Sequence, residues 1–190
     1  MTMRVFPALL GALLFYSVLP AHAEPTINEY NAYLKKGPWT ALYRRSEGTW
    51  HAQLTRKAGA FTLGYRQADL RLAREHRGSI EQALMKRGNV SLAHRLEYRS
   101  FDRSRLDDHW RYRLIVDYRH PVTDKVVAWV RLQPRLAHFG GRRLFDARDQ
   151  VGLEFQFGSL RLSPFYERYA LRRWDRHGGN VIGLHATIEL

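Results

Sequence analysis

The sequence predicts an all-β chain: a transmembrane antiparallel up-and-down β-barrel of about 10 strands, with eight as the fallback count and a short helix ahead of it. Three features carry that expectation. They are a leader-like N-terminus, a hydropathy period of two over most of the remaining chain, and an alternation of short and long connections toward the C-terminus.

The segment Met1 to Ala23 has one arginine, Arg4, followed by an uncharged run and the small-residue pattern Ala21-His22-Ala23 before Glu24. Pro7, Gly11 and Pro20 interrupt the apolar run, and its far end has a cleavage pattern in place of a basic stop. Residues 1–23 therefore read as a secretory signal peptide in preference to a membrane anchor. No later apolar run approaches 18 residues, so the exported chain would have to cross a membrane with strands or not at all.

Composition narrows the chemistry further. The 190 residues contain 31 Lys+Arg, 18 Asp+Glu and no Cys, which excludes disulfides, cysteine-based metal centres, thiol nucleophiles and lipidated cysteines. With 45% hydrophobic residues, the formal charge of +13 belongs to a folded structure. A nucleic-acid partner, the first reading of so basic a chain, is not expected once export is accepted. No cofactor and no metal are expected either, because His76, His94, His120, His138 and His177 form no pair at ligand spacing.

The period of two is clearest where Trp110, Tyr112, Leu114, Val116 and Tyr118 alternate with Arg111, Arg113, Asp117 and Arg119. Leu92, Leu96 and Tyr98 alternate in the same way with Arg95, Glu97 and Arg99, and similar patterns follow at 151–157 and 182–190. These runs are about 9 to 11 residues long, which is what a tilted strand needs to cross a bilayer. Counted back from the C-terminus, strands are expected at 180–190, 160–170, 149–158, 125–137, 109–119, 89–101, 79–86, 60–73, 48–56 and 38–45. Connections at 102–109, 139–148 and 171–180 are long, whereas those at 120–125 and 158–159 are short, as in outer-membrane barrels with short periplasmic turns. Trp110, Tyr118, Phe157 and Tyr166 would form interfacial girdles. A secreted β-sandwich is the competing architecture.

The barrel is assigned to 38–190. Ahead of it, 24–37 reads as a periplasmic segment in which Thr26-Ile-Asn-Glu29 has the form of a capping box. Ile27, Tyr30 and Leu34 at helical spacing then predict a short helix ending at Gly37-Pro38, against the plainer alternative of an irregular leader.

Several blocks resemble the bacterial family called domain of unknown function 2490. They are Glu75-His76-Arg77, Glu81-Gln82-Ala83-Leu84, Leu92-Ala93-His94-Arg95-Leu96-Glu97-Tyr98-Arg99, Trp110-Arg111-Tyr112-Arg113-Leu114, and Phe145-Asp146-Ala147-Arg148 leading into Val151-Gly152-Leu153. The likeness runs from about Leu63 to the C-terminus. It implies an outer-membrane barrel and no particular reaction. The chain ends on Leu190, where barrel terminal strands usually end on an aromatic.

By strand parity, the inward set is Arg66, Arg71, Glu75, Glu81, Arg95, Glu97, Arg99, Arg111, Arg113, Asp117, Arg119, Arg131, Arg135, Glu154, Arg161, Glu167, His185 and Glu189. Its central members, a lumen charge network, are Arg95, Glu97, Arg99, Arg111, Arg113, Asp117, Arg131, Glu154, Arg161 and Glu167. A barrel this narrow fills its interior with side chains, and guanidinium–carboxylate pairs satisfy a polar interior. A structural or passive barrel is the leading expectation. The alternative is a narrow anion-selective channel or ligand-binding barrel, favoured by the excess of Arg over carboxylate.

Arg103, Arg105, Arg142, Arg143, Arg172 and Arg173 in the expected outer loops are candidate contacts to glycolipid phosphate. Outer-membrane lipid, lipopolysaccharide and the barrel-assembly machinery are thus the expected partners. An enzyme is not expected. Ser91 and His94 lie three apart, on opposite faces of a strand. Ser100, Ser104, His109, Asp102, Asp107 and Asp108 gather around one outer loop, where a lipid hydrolase is the most remote alternative.

Overall fold

The computed structural model describes residues 26–190 except 47, 71–72, 103–106, 140–141 and 172–179, so the expected leader lies outside the described residues. Eleven strands follow one another: β1 Thr26–Lys36, β2 Trp39–Ser46, β3 Thr49–Ala58, β4 Phe61–Leu70, β5 Ala73–Arg87, β6 Val90–Asp102, β7 His109–Thr123, β8 Val126–Phe139, β9 Arg142–Phe157, β10 Leu160–Leu171 and β11 Asn180–Glu189. Each pairs antiparallel with its successor, and β1 closes the barrel by pairing parallel with β11. Closure leaves no sheet edge, and at the seam the Leu190 amide still donates to the Lys35 carbonyl at 2.8 Å.

Three expectations need correction here. The segment expected to be helical is β1, and it raises the strand count from 10 to 11. The capping-box reading treated Glu29 as a helix-start residue. In the barrel Glu29 points inward beside Asn31 and meets Arg44, while Tyr30, Ala32 and Leu34 face outward, so tertiary pairing overrides the local helical signal. The expected long connection at 139–148 is also largely strand, because β8 continues to Phe139 and β9 starts at Arg142. Likewise β5 begins at Ala73, six residues before the expected start at 79.

The hairpin turns at 37–38, 59–60, 88–89 and 158–159 share one end of the barrel, together with Asp124-Lys125. Gly37, Gly59, Gly88 and Gly158 open these turns with φ between 54° and 61°, a region that only glycine enters without steric cost. The opposite end carries two-residue connections at 47–48, 71–72 and 140–141 and the longer ones at 103–108 and 172–179.

Facing follows the alternation read from sequence, with charges inside and apolar groups outside. Glu97 and Glu167 are 0% exposed and Glu75 is 1% exposed, whereas Tyr65 is 53% and Trp110 54% exposed. The stagger of the strands is visible along one hydrogen-bonded row on the outer face. It leaves Trp39 beside the first tight turn, passes Arg56, Leu63, Ile80, Leu96, Tyr112 and Leu136, and reaches Phe145 near the other end. Apart from Arg56, which sits 5.4 Å from the Trp39 ring, the row is entirely apolar or aromatic. Among the described residues, no helix is long and apolar enough to cross a membrane.

Candidate functional site: the charged interior

Parity on β5 to β10 aims one residue in two at the axis, and the inward residues of neighbouring strands meet as cross-strand pairs. Glu97 on β6 is the centre. Arg111 grips it with Nη2 at 2.5 Å and Nε at 2.6 Å, and Arg113 Nη2 lies at 3.2 Å. Arg77 Nη1 at 3.5 Å and Arg95 Nη1 at 3.6 Å complete a carboxylate surrounded by four guanidiniums. Arg95 in turn holds Glu81 at 2.5 Å, while Glu75 binds Arg77 at 2.5 Å and also pairs with Arg99.

From this centre the polar chain continues around the barrel. Arg113 Nη1 donates to Gln133 Oε1 at 2.7 Å, Gln133 donates to Gln150 at 3.3 Å, and Gln150 donates to Glu167. Glu167 pairs with Arg148, which reaches Glu29 on β1 at 3.7 Å. Glu29 accepts from Asn31 at 2.9 Å and lies 3.5 Å from Arg44, whose Nε donates to Asn31 at 2.6 Å. A continuous belt thus joins β5 through β10 to β1 and β2, buried at its centre and half-buried at Arg44, Glu81, Arg95 and Arg99. Buried ion pairs of this kind need several hydrogen bonds each to offset desolvation, and the belt supplies them.

Nearer the tight turns, pairs of a second layer are more open to solvent. Arg131 clamps Asp117 with two bonds of 2.5 and 3.0 Å, Arg119 binds Glu154 at 2.6 Å, and Arg161 joins Glu154 at 3.7 Å and Glu189. Between the layers, Glu29, Gly183, Phe165, Gly152 and Trp129 occupy one row across five strands. The two glycines are why the rings fit: a Cβ on Gly152 would lie 2.7 Å from Trp129, and one on Gly183 would lie 2.3 Å from Phe165. Trp129 lies across β9 in this way and donates its indole N–H to Ser163 at 2.8 Å. Large side chains facing small ones fill this row of the interior.

Every one of the ten residues expected to form the lumen network lies inside and is joined to at least one opposite charge. They form the Glu97, Glu75 and Glu167 clusters and the second layer. Sequence reasoning missed Arg77, Arg148, Asp146, Glu29, Asn31 and Arg44, because their segments were assigned to loops or a helix or lay on the unassigned parity of a tentative strand. It also missed Gln133, Gln150, Trp129 and Phe165 because only charges were counted. Extending the period-two pattern through 73–78 and 142–148 would have found Arg77, Asp146 and Arg148. Arg71, Arg103, Arg105, Arg172 and Arg173 lie outside the described residues. Arg142 and Arg143 open β9, and nothing is described of their side chains.

The loop in which a hydrolase was the remote alternative distributes its residues over two faces. His109 points inward and Asp102 outward. Asp102 engages His76 at 3.1 Å, and the other nitrogen of that ring shares a 2.7 Å hydrogen bond with Tyr65, forming a polar Tyr65–His76–Asp102 chain on the outer rim. Among the described residues, no group of three or more potential ligands could hold a metal ion.

No family profile matches the chain, and none of the curated proteins or solved structures compared with it is significantly similar. The interior geometry therefore stands by itself as the guide to function.

Proposed function

We propose that this chain is a small outer-membrane β-barrel, exported by residues 1–23, whose lumen is closed by its own charged belt and whose role is structural or passive. The single observation that carries the reading is the inversion of the barrel: fully buried glutamates inside and exposed Tyr, Trp and Leu side chains outside. In water such an outer face would present far more contiguous apolar surface than soluble monomers carry, whereas in lipid it is the expected face. Two-residue turns throughout one end, and the two longer connections at 103–108 and 172–179 beside short ones at the other, agree with a periplasmic and an outer side. The resemblance to the domain of unknown function 2490 family points the same way. Outer-membrane lipid and lipopolysaccharide are the surroundings this reading requires, and the assembly machinery is the partner that would insert the chain.

A closed lumen also follows from size, since wide aqueous channels need about 16 strands. The reading is tested by heat-modifiable gel migration after detergent refolding, together with recovery in the outer-membrane fraction of a producing cell. A folded, compact band that heating slows supports it. A protein that stays soluble without detergent removes it. The second reading, a ligand-binding barrel selective for anions, is favoured by a cavity beside the belt and is developed next.

A further inference from the structure

The belt does not fill the whole lumen. A cavity of about 520 Å³ remains within the barrel, bordered by residues of β1 to β9 and β11, with Leu42, Arg44, Gln53 and Arg66 forming its β2–β4 wall, and it reaches the β5–β6 hairpin at Lys86 and Ser91. Small and uncharged groups leave this room, among them Leu42 and Gln53 on β2 and β3 and Ala83, Ser91 and Ala93 around the β5–β6 hairpin. Its volume is in the range of small-molecule sites.

The charges around this cavity do not balance. Its two carboxylates, Glu81 and Asp117, are both already clamped, by Arg95 at 2.5 Å and by Arg131 at 2.5 Å. Arg66 also lines the cavity yet forms no ion pair among the described residues. Among the described residues its guanidinium hydrogen-bonds only the ring of His51, its buried Nε has no hydrogen-bond partner, and the opposite charge acting on it, Glu75, is already paired with Arg77 and Arg99. Arg44, on the same wall, lies 3.5 Å from Glu29 and shares that carboxylate with Arg148. Of the seven arginines that border this space, Arg66 thus has no ion pair among the described residues and Arg44 has only a shared one. An uncompensated buried cation is costly, and the economical solution is an anion that supplies the missing acceptors.

We propose that this cavity is a binding site for a small molecule bearing a phosphate or carboxylate group, with Arg66 as the anchor and Arg44 as the second arm. A guanidinium fork matches both oxyanions in bidentate geometry. The lining runs to the tight-turn end, where Lys86 adds a further positive charge. The inference rests on the closed barrel alone. It holds whether or not the outer face meets lipid, so its failure leaves the membrane reading intact, and failure of heat-modifiability leaves this site to be tested separately.

The test is calorimetric titration of the full chain, refolded in neutral detergent, with pyrophosphate and with citrate, and with phosphatidic acid in the micelle as a third arm. Saturable binding of either soluble anion is expected. Binding of phosphatidic acid alone would assign the same site to a lipid headgroup. Arg66→Gln should weaken binding about 10- to 100-fold, the range for losing one charge-assisted contact, while Arg56→Gln on the outer face leaves it unchanged.

Gln53 is the register partner of Arg66 across β3 and β4. Gln53→Glu should therefore supply the missing carboxylate internally, raise thermal stability and abolish anion binding. That variant keeps the inference testable should Arg66→Gln not fold. Absence of saturable binding in all three arms, or equal binding by the parent and Gln53→Glu, overturns the proposal.

Discussion

Replacing Glu97 by alanine tests what the belt is for. The carboxylate is fully buried and faces four guanidiniums. Arg77 would keep Glu75 and Arg95 would keep Glu81, so those two cations stay compensated. Arg111 and Arg113 would not, since Glu97 is their only ion-pair partner among the described residues; Arg113 would keep just the neutral Gln133. Removing one member of a buried pair costs about 3–5 kcal/mol, and with two cations stranded the upper half of that range is expected. The assay is equilibrium urea unfolding of protein refolded into lipid vesicles, followed by tryptophan emission, with Glu97→Gln alongside to separate charge from volume. The double variant Glu97→Ala, Arg111→Met should recover part of the loss, because it removes one stranded cation. A loss below about 1 kcal/mol in both single variants, joined by higher anion conductance in planar bilayers, would mean that water screens the freed cations. The lumen would then be a wet path and the closed-barrel reasoning would fail.

Leu96 sits at the centre of β6 in the outward apolar row, so Leu96→Arg should destabilise the vesicle-inserted barrel by about 2–4 kcal/mol, and an effect near zero in the same unfolding experiment would argue against a lipid-facing surface there. Gly152→Ala should cost about 1–3 kcal/mol through overpacking and shift tryptophan emission, because the added methyl meets Trp129 and the Pro164 carbonyl at 2.7 Å each. Unchanged emission and stability would show that the indole does not lie across β9. N-terminal sequencing of the envelope-derived protein should begin at Glu24; a chain beginning at Met1 in the cytosol would remove the export reading.

Much of this architecture was legible because a strand's side-chain period is two and the lumen demands charge. On β6 and β7 the alternation of Arg95, Glu97, Arg99, Arg111 and Arg113 with Leu96, Tyr98, Trp110 and Tyr112 leaves only one choice, whether the charged face points in or out. Loop lengths then favoured inward. β1 was not legible, since Thr26 and Glu29 satisfy a helix-start pattern and the acceptor role of Glu29 depends on Arg44 and on Arg148, more than a hundred residues away. The row of Trp129 and Phe165 over two glycines was equally hidden. An aromatic on the charged face looks like noise until the facing residue is known to lack a side chain. The cavity depends on small and uncharged groups contributed by many strands, and that absence of bulk is visible only once their register is known.

The parallel seam has a topological consequence. Thr26 sits beside Asn180 and Lys35 beside Glu189, so β1 starts at one mouth of the barrel and β11 finishes at the other. A circular permutant joining Leu190 back to Thr26 would need a linker spanning the full height of β1, about 30 Å at the rise of a strand. That linker would have to thread the occupied bore or run along the outer wall. Barrels with an even number of strands meet no such obstacle, because their ends emerge side by side. In this chain, joining the ends and cutting at a hairpin is therefore not a neutral edit.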